Sequence, residues 1–221
     1  MKRATELDKV DKSHSLDEQA YAHIKQAIIS GVFQPGEFLA EVRLAEELGI
    51  SKTPIRTAMA RLQEEDFLVY VPYRGYFVAD ISLEDSREIY QLRQILECHL
   101  IQETAHQFSK IELDEMEASI GAAEEAFNRQ DYVAYVARNR EFHHAFPRKY
   151  ANRRILKLLT NLDEHVQRIL LYNLKNEQSE MLSPREHRMI LEAIRTGDVD
   201  SAVSLMQDHL VGFHRSHDAQ G

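Results

Sequence analysis

Residues 41–63 read EVRLAEELGISKTPIRTAMARLQ, two short helical patterns hinged at Gly49-Ile50. Leu44, Ala45 and Leu48 share one face of the first pattern, and Ile55, Ala58, Met59 and Leu62 form the apolar face of the second, so the two faces can pack together. Ser51 stands where an N-cap belongs. Pro54 falls in the first turn, where its missing N–H removes no helical hydrogen bond. At about 100° per residue, Lys52, Arg56 and Gln63 project from the side opposite the core, with Thr53 beside them. That side is expected to be basic and free of acids. A short helix, a glycine turn and a capped helix offering Lys, Thr and Arg from its first turns is the layout of a helix-turn-helix.

Length and charge bound what surrounds this motif. With 221 residues, 43% hydrophobic and 29% charged, the chain is long enough for two domains, each with its own core. A formal net charge of -9 argues against indiscriminate polyanion binding but leaves room for a local basic surface. Residues 1–80 hold ten Lys and Arg against thirteen Asp and Glu, net -3, whereas residues 51–63 hold three basic groups and no acid. Nucleic-acid contact is therefore expected at one helix and its surroundings. Cys98 is the only cysteine, which rules out an intrachain disulfide, suits a reducing cytoplasm and reads as a small buried apolar residue. No apolar run reaches the roughly 18 residues of a membrane span, and the N-terminus lacks a signal-peptide core, so a cytoplasmic location is expected.

Residues 1–14 alternate charges with few apolar groups and are expected to be a mobile tail. Ser15-Leu16-Asp17-Glu18 is a capping-box start for a helix whose Tyr21, Ile24, Ile28 stripe ends near Ser30-Gly31. Beyond the helix-turn-helix, residues 67–71 and 76–78 are β-rich runs around Pro72-Tyr73-Arg74-Gly75, which predicts a two-stranded wing with Arg74 at its tip. Arg74 is either a solvated turn residue or a phosphate or minor-groove contact, and the neighbouring motif favours the contact. Ser82-Leu83-Glu84-Asp85 is a second capping-box-like start, so a winged helix-turn-helix domain is expected over 15–80 and a second domain over 81–221. Helical patterns run through the latter near 83–107, 110–129, 131–147, 152–175, 184–196 and 198–216, an all-helical antiparallel bundle, and the fold class is mainly α.

Several positions that complete the apolar stripes of this bundle are polar. Tyr132, Tyr135, Val136, Phe142 and Phe146 are joined by Asn139 and His143; His187 is in register with Ile190, Leu191 and Ile194; His209 is in register with Ala202, Leu205, Met206 and Phe213. A buried polar group left unpaired costs about 1–3 kcal/mol, so these four need partners. One reading is a metal-free, hydrogen-bonded polar core. The other is a metal site, with Asn139 and His143 presenting ligands from adjacent turns and two more helices supplying imidazoles, a donor set that suits Zn, Ni, Cu or Fe, with Zn or Ni expected first. His165 lies inward with Leu158, Leu162 and Ile169 and competes for a ligand role, whereas His144 is off the stripe and expected to face solvent. Arg93, between Ile89 and Leu96, is either neutralised by Glu97 one turn on or binds a small carboxylate effector through its planar fork of donors.

With these pieces in order, the chain resembles a GntR-type transcriptional regulator of the FadR subgroup, which carries an all-helical ligand-binding domain called FCD. LAEELGISKTPIRTAMARL is similar to that family's helix-turn-helix signature and PYRGYFV to its wing, while QLRQILE, NREFHHAF, PREHRMILEAIRTGD and MQDHL resemble successive FCD motifs. The resemblance covers about residues 16–215. It implies that Lys52, Thr53 and Arg56 enter the major groove, helped by the wing around Arg74 and Gly75. It further implies that Asn139, His143, His187 and His209 surround a divalent metal with an organic-acid effector beside it. Asn139 stands where the family usually has Asp, and a neutral amide oxygen holds a cation less strongly than a carboxylate. Lys52 replaces a more usual Arg and Thr57 a more usual Glu, which bears on operator preference.

The expected function is that of a homodimeric regulator, in this family usually a repressor. Two recognition helices about 34 Å apart would read a palindromic operator, and an effector would bias the spacing of the two heads through its different affinity for two arrangements. A metal-dependent hydrolase is the rival from another class, because histidines in a bundle can activate water. Against it, the sequence offers no inward Glu or Asp near those histidines that is well placed as a general base.

Overall fold

A computed structural model describes residues 15–176 and 183–218. The expected tail, residues 1–14, and the Phe213 and His214 side chains lie outside the described residues. Contacts divide the chain into two compact units, one of Met1–Ile28 with Phe33–Ala79 and one of Ile29–Val32 with Asp80–Gly221.

In the first unit the apolar stripe of α1 (Leu16–Ile29) buries Ala20, Ile24 and Ile28. Helix α2 (Glu41–Leu48) ends where Gly49 turns left-handed at φ 67, a conformation that glycine adopts without a Cβ penalty, and α3 (Lys52–Glu64) follows at once. Leu44 and Ala45 of α2 and Ile55, Ala58, Met59 and Leu62 of α3 are buried, as the spacing predicts. Ser51 occupies the N-cap position in extended backbone, but its side chain makes no capping hydrogen bond.

The wing differs from the two-stranded expectation. Strand β2 (Leu68–Val71) pairs antiparallel with β3 (Gly75–Val78), and β1 (Phe38–Leu39) adds a third strand on the other edge of β3 with Phe38 opposite Phe77 and Leu39 opposite Tyr76. Two residues are too short to show a period of two, and their partner lies far along the chain, so only tertiary pairing reveals this strand.

The second unit is helical: α4 (Leu83–Thr104, followed by a 3-10 turn at Ala105–Gln107), α5 (Lys110–Asn128), α6 (Tyr132–Arg148), α7 (Arg153–Asn176), α8 (Ser183–Arg195) and α9 (Val199–Asp218). Their starts are locally encoded. Ser82 accepts from the Asp85 amide at 3.0 Å, Ser109 and Glu112 form a reciprocal capping box, and Asp131 accepts from the Ala134 amide at 3.1 Å. Leu100, Ile101, Phe142, Phe146, Ile190, Met206 and Leu210 meet in one core drawn from α4, α6, α8 and α9. Leu158, expected on the inner face of α7, is instead 57% exposed, and the adjacent Leu159 is buried in its place. The long α7 pattern admits both rotations, and packing against α4 and α6 selects one.

Candidate functional sites

The outer side of α3 carries Lys52, Thr53 and Arg56, all exposed. Its chemistry is not free of acid as expected, because α2 contributes one from outside the helix. Glu41 receives Arg56 Nη2 at 2.9 Å. The Arg56 side chain is 67% exposed, so this ion pair holds the guanidinium against the head at little energetic gain and can be exchanged for a phosphate or a base edge. On the wing Arg74 is exposed with its guanidinium 5.2 Å from the Phe77 ring centre. Gly75 has φ 97, which L side chains rarely adopt, and a Cβ there would also stand 3.0 Å from the half-exposed Phe38 ring, so the backbone conformation itself favours glycine.

Inside the helical unit, α6 supplies Asn139 and His143, α8 supplies His187 and α9 supplies His209. The three imidazoles offer ligand atoms that all lie within 4.8 Å of one another. His187 Nε2 is 3.2 Å from His209 Nε2, which is 3.4 Å from His143 Nε2. Tetrahedral nitrogen ligands with metal bonds of about 2.0–2.1 Å stand about 3.3 Å apart, so both spacings suit one ion. Asn139, buried one turn before His143, has an Oδ1 with no hydrogen-bond partner. A buried acceptor is seldom left so, and an unpartnered oxygen lone pair one helical turn from His143 is a candidate fourth donor beside the three nitrogens. The residues present therefore fit a divalent transition metal. His165 is buried too but is outside this cluster, which leaves it without the ligand role for which it competed in the sequence.

What sequence reasoning missed is the layer behind the ligands. Glu97, one turn beyond Arg93 on α4, lies 2.6 Å from His143 Nδ1, and Glu186 lies 2.6 Å from His209 Nδ1. Two carboxylates thus do approach the histidines, but on the Nδ1 side, and the expectation that none is well placed as a general base is not contradicted. An ionised carboxylate only accepts, so with Glu97 and Glu186 ionised the Nδ1–H of His143 and of His209 is the donor and their Nε2 atoms are left as acceptors turned toward each other. Bare acceptors 3.4 Å apart repel unless something electrophilic lies among them. Because both carboxylates are engaged by Nδ1–H behind the rings, neither faces the point where the Nε2 atoms meet. The sequence placed Glu97 only as a partner of Arg93, and the adjacent Glu186-His187 pair was the local signal of the second carboxylate.

Arg93 is 2% exposed and gives its Nε to Glu97 at 2.7 Å. Burial raises the Glu97 carboxyl above its ordinary range, and the Arg93 charge opposes that rise. Burial likewise keeps His143 and His187 neutral, holding both well below 6.5, with the Arg93 charge adding to the effect at His143. Phe142 stacks on His187 with ring centres 4.0 Å apart at 17° and fixes the plane of that imidazole. His144 is a further correction. Its side chain is only 13% exposed and its Nε2 bonds Asp163 of α7, a partner 19 residues away that helical periodicity cannot reveal.

Residues 16–78 match the family model for bacterial regulatory proteins of the gntR family, and residues 88–212 match the FCD domain. The chain is 29% identical over 215 residues to the HTH-type transcriptional regulator YdhC of Bacillus subtilis (strain 168), an alignment covering 96% of this chain and 93% of that protein. It is 21% identical over 201 residues to the HTH-type transcriptional repressor RspR of Escherichia coli (strain K12), covering 91% and 88%. A solved GntR regulator from Rhodococcus sp. RHA1 shares the fold with a TM-score of 0.78 at 21% identity, covering 90% of this chain and 96% of that one. Among the described residues no helix is long and apolar enough to cross a membrane.

Proposed function

The chain belongs to the GntR family of bacterial regulatory proteins and carries an FCD domain, which makes it a DNA-binding transcriptional regulator, and from that premise we propose a homodimeric repressor of the FadR subgroup that answers to a small carboxylate. Residues 15–80 form the operator-binding domain, with Lys52, Thr53 and Arg56 in the major groove and Arg74 and Gly75 at the flanking backbone or minor groove. Residues 81–221 form the effector-binding and dimerisation domain. In it Asn139, His143, His187 and His209 hold a divalent transition metal, Zn or Ni. Bound there, the metal supplies a Lewis-acidic position for one oxygen of an organic acid. Arg93 binds the other end of that ligand through its terminal nitrogens, its Nε being taken by Glu97.

The observation that carries the metal assignment is the convergence of the three imidazoles, supported by the partnerless buried Oδ1 of Asn139 one helical turn before His143. Glu97 and Glu186 orient the rings, Phe142 holds His187 in plane, and burial keeps water away from the donors. The operator assignment rests on the exposed basic side of α3 and on the family. Effector binding changes operator affinity only through unequal affinity for two arrangements of the heads. Elemental analysis of wild-type protein and His187→Ala after equilibration with Zn or Ni is the test. Wild type is expected to hold about one ion per chain and the variant to lose most of it. Equal metal content in the two proteins would remove the site.

A further inference from the structure

We propose that Tyr73 is an additional DNA-contacting residue, whose ring packs into the minor groove beside Arg74; this rests on the operator-binding reading of the head. Val71 is paired with Gly75, which leaves Pro72, Tyr73 and Arg74 as the loop between β2 and β3. The Arg74 amide donates to the Val71 carbonyl at 3.0 Å and closes a four-residue turn. Pro72 is at the second position, where its fixed φ fits. Tyr73 is at the third with φ 63, in the left-handed region that this position normally reserves for Gly or Asn. A tyrosine there is strained.

Nothing within the head offsets that strain. The Tyr73 side chain is 105% exposed, and among the described residues it makes no hydrogen bond and no ring contact. The loop therefore carries a strained backbone and leaves a large apolar ring in water, at the tip of a protruding hairpin. A residue whose conformation is unfavourable in the free protein is explained if a partner takes the ring.

The chemistry around it selects that partner. Arg74 stands next to it in the loop, exposed. Down the hairpin Tyr70 and Tyr76 face each other across the strands with ring centres 5.0 Å apart. Tyr76 lies within electrostatic reach of both Arg56 and Glu41, which brings the base of the wing near the start of α2 and the outer side of α3. An exposed arginine and an exposed tyrosine consecutive in one loop, on the same small domain as a basic helix, match a duplex whose phosphates take the cation and whose sugar and base edges take the ring.

The full-length protein is used to recover duplexes from a random-sequence DNA library, and the recovered duplex is titrated with wild type, Tyr73→Asn, Tyr73→Phe and Arg56→Ala by fluorescence anisotropy. Asn tolerates the left-handed conformation without glycine's extra freedom in the unfolded chain, so Tyr73→Asn is expected to raise the Tm of the free protein. It is also expected to weaken the duplex roughly tenfold, with Tyr73→Phe staying within about threefold of wild type because the ring is kept. Opposite signs in stability and affinity distinguish a contact residue from a structural one. Unchanged affinity in Tyr73→Asn, while Arg56→Ala binds weakly, would overturn the assignment of Tyr73 and leave the operator reading intact. A Tm that falls together with affinity also overturns it, and failure of wild type to enrich any duplex overturns both.

Discussion

Among the described residues the N-terminal unit buries one charged side chain, Lys25, whereas the C-terminal unit buries Arg93, Glu97, Asp163 and Arg168 together with Asn139, His143, His165 and His187. Lys25 is answered locally, by Glu65 at 2.7 Å and the Tyr21 hydroxyl at 2.7 Å, and the remaining charges of the head point outward. Its chemistry is on the surface, where a long polyanion can be met. The helical unit does the reverse, holding polar groups in a dry interior where each must be oriented by another, and there a small ligand or ion can be enclosed and sensed. Substitutions should accordingly act on stability in one unit and on binding in the other.

The largest effect is expected from Arg93→Ala. It leaves Glu97, 1% exposed, without its cation, and breaking a buried pair from one side costs about 3–5 kcal/mol. Urea unfolding monitored by helical circular dichroism measures it, and a loss below about 1 kcal/mol would show that the interior tolerates charge as the surface does. Arg56→Ala is the surface counterpart. It is expected to weaken operator binding by about 1–3 kcal/mol in a gel-shift titration while moving stability by no more than about 0.5 kcal/mol, because its partner Glu41 remains partly solvated. Unchanged operator affinity would take Arg56 out of the interface.

The smallest expected effect is on pH dependence, and it sharpens the comparison from the interior side. Burial holds the native pKa of His143 and His187 well below 6.5, while in the unfolded chain both take up protons near that value. Below about pH 6.5 the unfolded state therefore binds more protons, and these two residues lower stability as the pH falls, by up to about 1.4 kcal/mol per pH unit each, until their depressed native values are reached. Protein treated with a chelator should show a Tm that declines between about pH 7 and 5.5, with a shallower decline in a His187→Phe variant. Identical slopes would mean that His187 is not held neutral by its surroundings.

Much of this architecture is legible in local pattern. The start of α4 follows from Ser82, the end of α2 from Gly49, and the inward placement of Asn139, His143 and His187 from their register with buried aliphatic and aromatic neighbours. Each depends on residues within about two helical turns, the range over which side chains on one helix meet. The orientation of α7 was less legible, since a stripe that admits Leu158 or Leu159 needs its neighbours to decide.

The amino-acid order alone thus determined which segments are helical, most of their apolar faces and the inward placement of Asn139, His143 and His187, because these are periodicities set by the backbone. Only the tertiary structure decided that Glu41 meets Arg56, that β1 joins the wing, that Asp163 holds His144, and that Glu97 and Glu186 stand behind the imidazoles. Those partners sit 15, 19, 46 and 23 residues apart where side chains are concerned, and β1 meets β3 from Phe38 to Phe77. No helical or strand period spans such separations, so only packing of whole elements brings the groups together.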